Sequence, residues 1–110
     1  MEMVPFKDFQ KLDLRVATIT EVKEHPNADK LFILKVDLGP DGERQLIAGI
    51  KGAYEKSELE GKQIVVVSNL EPATIRGVES KGMLLAAEGE MGKPILIVPE
   101  KQTVPNAKIR

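Results

Sequence analysis

The sequence contains no cysteine and a single histidine, His25. Without cysteine there is neither a disulfide framework nor a thiolate metal site, and one imidazole cannot build a histidine cluster. Aromatic residues are almost as scarce. Phe6, Phe9, Phe32 and Tyr54 are the full set, too few for a platform on which successive bases of a single strand would stack. No apolar run approaches the ~20 residues of a membrane-spanning helix, and the opening MEMVPFKDF lacks the basic-then-apolar order of a secretory signal. A cytoplasmic chain with no membrane partner is expected. Neither charge is in excess: 16 basic against 17 acidic residues leave a net −1. Any polyanion must therefore be met by a local patch rather than by an overall field.

Catalytic equipment is missing too. No serine stands in a G-x-S-x-G elbow and no G-x-x-x-x-G-K-[ST] phosphate loop occurs. His25 precedes Pro26 in a turn and reads as a structural or surface residue, while Glu88 and Glu90 read as solvated charge. The expectation is a binding module without cofactor or metal, not an enzyme. At 110 residues the chain buries enough surface for one core but not two, so residues 1–110 form a single domain.

What is present is a succession of short β-branched runs. Leu14–Val22 predicts a strand with Leu14, Val16, Thr18, Thr20 and Val22 on one face, ending in the turn residues His25-Pro26-Asn27-Ala28-Asp29. Leu31–Leu38 predicts a second strand burying Phe32, Leu34, Val36 and Leu38, and Gly39-Pro40-Asp41-Gly42 marks a hairpin to a third at Arg44–Ala48. One short helix is expected at Ala53–Leu59, stopped by Gly61. The apolar run Gln63–Ser68 reads as the central core strand. Asn69–Gly82 reads as a long loop with an extended piece at Ala73–Arg76; Met83–Ala87 and Ile95–Val98 supply two further strands. Val4, Phe6 and Phe9 form a short docking segment or turn, and Val104, Pro105 and Ile109 anchor a polar tail. Strand pair, third strand, short helix and further strands is the order of an OB-fold: an all-β, five-stranded barrel with one short helix and N- and C-terminal extensions. Its strand faces and loop edges carry the cations Arg15, Lys30, Lys35, Lys51, Arg76 and Lys81, suited to phosphate rather than base recognition.

Four ordered motifs carry a resemblance. Asp13-Leu14-Arg15-Val16, His25-Pro26-Asn27-Ala28-Asp29-Lys30-Leu31, Asn69-Leu70-x-Pro72 and Gly77-Val78-Glu79-Ser80-x-Gly82-Met83-Leu84-Leu85-Ala86 resemble the tRNA-binding domain family. That family comprises the C-terminal domain of bacterial methionyl-tRNA synthetases, the separate β subunit and the free-standing relatives. The resemblance implies a non-catalytic homodimer that binds the outer elbow of tRNA, alone or beside a catalytic methionyl-tRNA synthetase subunit. It places Arg15 and Lys30 toward phosphates, and Asn69, Ser80 and Met83 beside the RNA, with Arg76 and Lys81 in the same loop and Lys35 among the nearby cations. Asn27, Gly77 and Gly82 fall at turns. The family's basic residues after Asn-Leu-x-Pro are here Ala73 and Thr74. Residues 1–12 and 99–110 take the place of the family's dimer contacts, with Val4, Phe6, Phe9 and Val104 as interface candidates. The alternative is a dimeric export-related chaperone of the same fold that binds unfolded peptides; the intact second and fourth motifs favour tRNA.

Overall fold

The structure is a computed structural model describing residues 1–110. Eleven residues, Leu14–Glu24, form β1, followed by β2 (Phe32–Asp37) and β3 (Glu43–Ala48). Both successive pairs are antiparallel, and a one-turn 3-10 segment at Gly39–Asp41 joins β2 to β3, as the Gly-Pro-Asp-Gly run predicts. A single helical turn, α2 (Lys56–Leu59), leads to β4 (Gln63–Val67), which returns antiparallel to β1. It is shorter than expected because the residues before it are already used: the Ala53 and Tyr54 amides both bond Ile50 O, and Glu55 N–H donates to Glu58 Oε1 at 2.8 Å, fixing the start. A second helical turn, α1 (Phe6–Phe9), stands where the sequence predicted a docking segment, so the chain has two short α-helices rather than one.

The expected long loop is instead a hairpin, β5 (Ala73–Ile75) and β6 (Val78–Ser80). Its two-residue turn places Arg76 at φ 52° and Gly77 at φ 86°, the doubly left-handed geometry that suits tight hairpins. The expected strand at Met83–Ala87 is split into β7 (Met83–Leu84) and β8 (Ala86–Glu88), and β8 pairs with β9 (Pro94–Leu96) as a separate two-stranded sheet. The main sheet runs β3-β2-β1-β4-β7. β4 is buried on both faces, as its apolar run predicts, but β1 holds the centre of the sheet.

β1 departs from the predicted alternation. A register shift between Ile19 and Glu21 leaves Thr20 exposed, and the core face is Ala17, Ile19 and Val22 rather than the even-numbered row. A bulge of this kind bends the strand, so its first half can pair with β4 and its second with β2. Ala17 and Ile19 then pack with Leu34, Val36, Leu46, Ile64 and Val66 in one core cluster. Leu14 and Val16 pair with Val67 and Val65, and all four are buried outside that cluster, on the opposite face. Along the edge of this half of β1 opposite β4 the tail is attached through its backbone: Val16 N–H donates to Ala107 O, Asn106 N–H to Val16 O and Ile109 N–H to Leu14 O. Val104, expected as an anchor, points away and is exposed, because Gln63 grips the neighbouring Thr103 backbone instead.

The barrel is nearly closed where β3 meets the chain leaving β6. Lys81 N–H donates to Gln45 O at 2.9 Å, Gln45 Nε2 donates to Glu79 O at 2.8 Å, and Ile47 N–H donates to Ser80 Oγ at 3.0 Å. Gly82 makes that approach possible: at φ 129°, an added Cβ would lie 3.0 Å from Val67 O and 3.2 Å from Leu46 Cδ2. No helix is long and apolar enough to cross a membrane. The switched core face has a direct check in equilibrium denaturation. Ile19→Ala should cost about 2–5 kcal/mol, whereas Thr20→Ala, on the row the simple alternation would bury, should cost about 1 kcal/mol or less.

Candidate nucleic-acid interface

The predicted residues fall into three groups, each placed by backbone hydrogen bonds. The first gathers around His25. The ring is only 6% exposed and lies between the β1–β2 turn and the β5–β6 hairpin. Its Nδ1 accepts from Asn27 N–H at 3.0 Å, so Nε2 carries the proton and donates to Ile75 O at 3.0 Å. Asn27 Nδ2 adds a bond to Arg76 O at 3.2 Å. Two loops distant in sequence are thus pinned together, and the turn carrying exposed Lys30 is tied to the hairpin tip carrying exposed Arg76. Of the two readings the sequence allows for His25, structural or surface, the buried ring takes the first, and it holds the backbone of the segments that carry these cations.

The second group surrounds Gln45. Lys35 is its cross-strand partner on β2, on the face opposite Leu34 and Val36, and its ammonium is 3.5 Å from Glu21. Lys81 is exposed, its ammonium 3.8 Å from Glu79. At these exposures such pairs are weak and leave both lysines available to a stronger anion. Ser80 is different. It is 4% exposed, its hydroxyl donating to Gly82 O and accepting from Ile47 N–H, so its polar capacity serves the barrel seam. Met83 is half-exposed and pairs with Val67, sharing the outer face with Leu14.

The third group sits at the start of β1. Arg15 Nε donates to Asp13 Oδ1 at 2.7 Å and its Nη1 to Asn106 O at 3.1 Å, leaving the guanidinium half-buried. Ser68 Oγ donates to Asp13 as well, and Arg44 donates to Ser68 O. Asn69 accepts from Asp13 N–H through Oδ1 and donates to Lys11 O through Nδ2. Arg15 and Asn69 therefore clasp the chain's N-terminal segment and tail to β1 and β4. Burial pushes the Asp13 carboxyl up, but hydrogen bonds from Arg15 and Ser68, with the charges of Arg15 and Lys108, outweigh it and hold the group below its ordinary value.

Arg44 was not anticipated, although the signal was there: it alternates with buried Leu46 and Ala48, a charge in an apolar row. Gln45 and Lys93 were also passed over, being single polar residues with no motif around them. No three carboxylate or imidazole side chains converge as a metal site. The termini carry exposed apolar groups. Val4, Phe6 and Val104 are 71%, 70% and 69% exposed, and the Phe6 and Phe9 rings stack with centroids 6.3 Å apart.

The comparisons converge on one family. A family model described as "Putative tRNA binding domain" matches residues 14–108. The methionine–tRNA ligase of Pyrococcus horikoshii is 56% identical over 111 aligned positions that include the whole chain. The chain spans only about 15% of the length of that relative, and the same share of the Thermococcus kodakarensis enzyme, which is 54% identical. Among solved structures, a methionyl-tRNA-synthetase-related protein from Pyrococcus horikoshii superposes with a TM-score of 0.90 at 37% identity, covering all of both chains. The chaperone CsaA of Bacillus anthracis superposes equally well at 34% identity, covering 99% of this chain and all of that one.

Two outcomes check the geometry. His25→Ala should release the hairpin, so hydrogen exchange of the 73–80 amides accelerates while that of β4 changes little. Because the Asp13 carboxyl is held low in the folded state, its contribution is complete above the ordinary value of 3.8 and is lost as the pH falls through the lowered one. Asp13→Asn should therefore lower the melting temperature at neutral pH, by a margin that closes in acid.

Proposed function

The chain belongs to the tRNA-binding domain family, and from that premise we propose that it recognises the folded shape of tRNA, at the outer elbow, without reading the anticodon. The observation that carries this reading is the pinned pair of loops at His25, which ties the turn carrying Lys30 to the hairpin tip carrying Arg76. Lys81 and Lys35 continue the positive groups across the barrel seam. Such an array suits the phosphates and 2′-hydroxyls of a structured RNA more than the bases of a single strand. Met83 offers an apolar contact, while Arg15, Asn69 and Ser80 act behind this surface, holding the segments that present it. With net charge −1, long-range attraction is weak and affinity comes from the local contacts, so binding is modest and salt-sensitive.

The module has no catalytic role of its own in this reading. It serves in the cytoplasm as a methionyl-tRNA synthetase β subunit or a free-standing tRNA binder, raising the effective concentration of tRNA near a catalytic partner. Two copies associate through residues 1–12 and 99–110, where the exposed apolar side chains of Val4, Phe6, Phe9 and Val104 would be covered by a second copy. The full-length likeness to chaperone CsaA supports a second reading, in which the same dimer holds unfolded peptides.

Equilibrium binding of mixed tRNA, with duplex DNA and unstructured RNA of equal length as competitors, separates the two. Selective binding across different anticodons supports the first; no selectivity for tRNA, together with suppressed aggregation of an unfolded client, supports the second. Within the first, Lys30→Ala should weaken all tRNAs about equally and lower the salt slope by about 0.7–0.9, with no change in melting temperature. Arg15→Ala should lower the melting temperature as well, because its partners Asp13 and Asn106 belong to the clasp. Phe6→Asp combined with Val104→Asp should yield a monomer in sedimentation.

A further inference from the structure

The turn after β3, Gly49–Tyr54, and the turn joining β8 to β9, Gly89–Lys93, border an open cleft of about 310 Å³. Lys30 and Lys93 line it with Gly49, Gly52 and Gly92, and no carboxylate is in the lining. Six ion pairs engage six of the chain's 16 cations, Lys51 with Glu24 at 2.9 Å among them, and Lys30 and Lys93 are among those outside them. Two unpaired ammonium groups lining one cleft suit an anion that can neutralise both. The cleft also joins the surface already described. Lys51 N–H donates to Lys30 O at 3.4 Å, which ties the Gly49–Tyr54 turn to the one that Asn27 ties to Arg76.

Its neighbouring space adds a different chemistry. The cleft continues over Tyr54, Pro94 and half-exposed Ile95, with Glu90 in the same lining. An apolar shelf beside a cationic end, with one carboxylate acceptor, matches the parts of a nucleotide: base, phosphate and exocyclic amino group. Packing does not require the opening at Gly52, since an added Cβ there would meet nothing within 4 Å.

We infer that this cleft seats one unpaired nucleotide of the bound RNA, with its phosphate between Lys30 and Lys93 and its base on the Pro94–Ile95 shelf. Glu90 accepts from the amino group of a cytosine, adenine or guanine. The inference rests on the tRNA reading and adds a second contact region to it. The test is tRNA affinity over a salt series for the wild type, Lys93→Ala and Gly52→Asp, each first checked for an unchanged melting temperature. Lys93→Ala should weaken binding several-fold and lower the salt slope by about 0.7–0.9. Gly52→Asp, which puts a carboxylate in the cleft, should weaken it at least as much. Wild-type affinity and slope in Lys93→Ala would overturn the inference while leaving the tRNA reading in place, and decide the matter even if Gly52→Asp failed to fold. A wild type that does not bind tRNA at all overturns that reading and the inference with it.

Discussion

The amide and carbonyl groups of β1 are divided among three partners, and this division shapes the molecule. Leu14–Thr18 pairs with β4 on one edge and, through Leu14 and Val16, with the C-terminal tail on the other; Thr18–Glu24 pairs with β2. A straight strand could not serve both halves. The register shift at Thr20 bends β1, turns Ala17 and Ile19 inward, and lets five short strands wrap one core. The same division leaves the first half of β1 with an open edge that only the chain's own end covers, so the tail is part of the architecture rather than an appendage.

Closure of the barrel and presentation of its surface are one problem in backbone accounting. Buried amides must find acceptors, and along the seam with β3 they find them in Ser80 Oγ and the Gln45 carbonyl's pairing with Lys81 N–H. At the other end His25 supplies both an acceptor and a donor to backbone groups of two different loops. His25 and Ser80, which hold these contacts with their side chains, are polar, motif-forming and inward-facing. Those that carry charge outward, Lys30, Arg76 and Lys81, are their sequence neighbours. A nearly neutral chain thus carries these three cations on segments whose backbone is fixed from behind, limiting the ordering that binding must impose.

Much of this was legible in the residues. Phe32, Leu34 and Val36 alternate cleanly, and their strand is where the pattern puts it; the Gln63–Val67 run is buried throughout because Ile64–Val67 is apolar and the Gln63 amide is satisfied by the Thr103 backbone. The face of β1 was not legible, since Ala17 and Ile19 share their row with the charged Arg15, Glu21 and Lys23 and only the three-dimensional bend turns them inward. The β5–β6 hairpin was missed because its turn is Arg76-Gly77, and an arginine gives no local signal for a positive φ. Ser80 and Asn69 were recognisable as motif members, but sequence does not tell an outward hydroxyl or amide from one that closes a seam. Arg15 shows the same ambiguity: its position was foreseen, while its ties to Asp13 and Asn106 depend on a tail ninety residues away.

The central claim is that the loops pinned by His25 present the tRNA-binding surface. Backbone amide NMR during titration with tRNA tests it most directly. The account predicts perturbations concentrated at residues 27–31, 76–83 and 92–95, with β4 and the 104–109 tail little affected. Perturbations confined to residues 1–12 and 99–110, with the pinned loops silent, would contradict it.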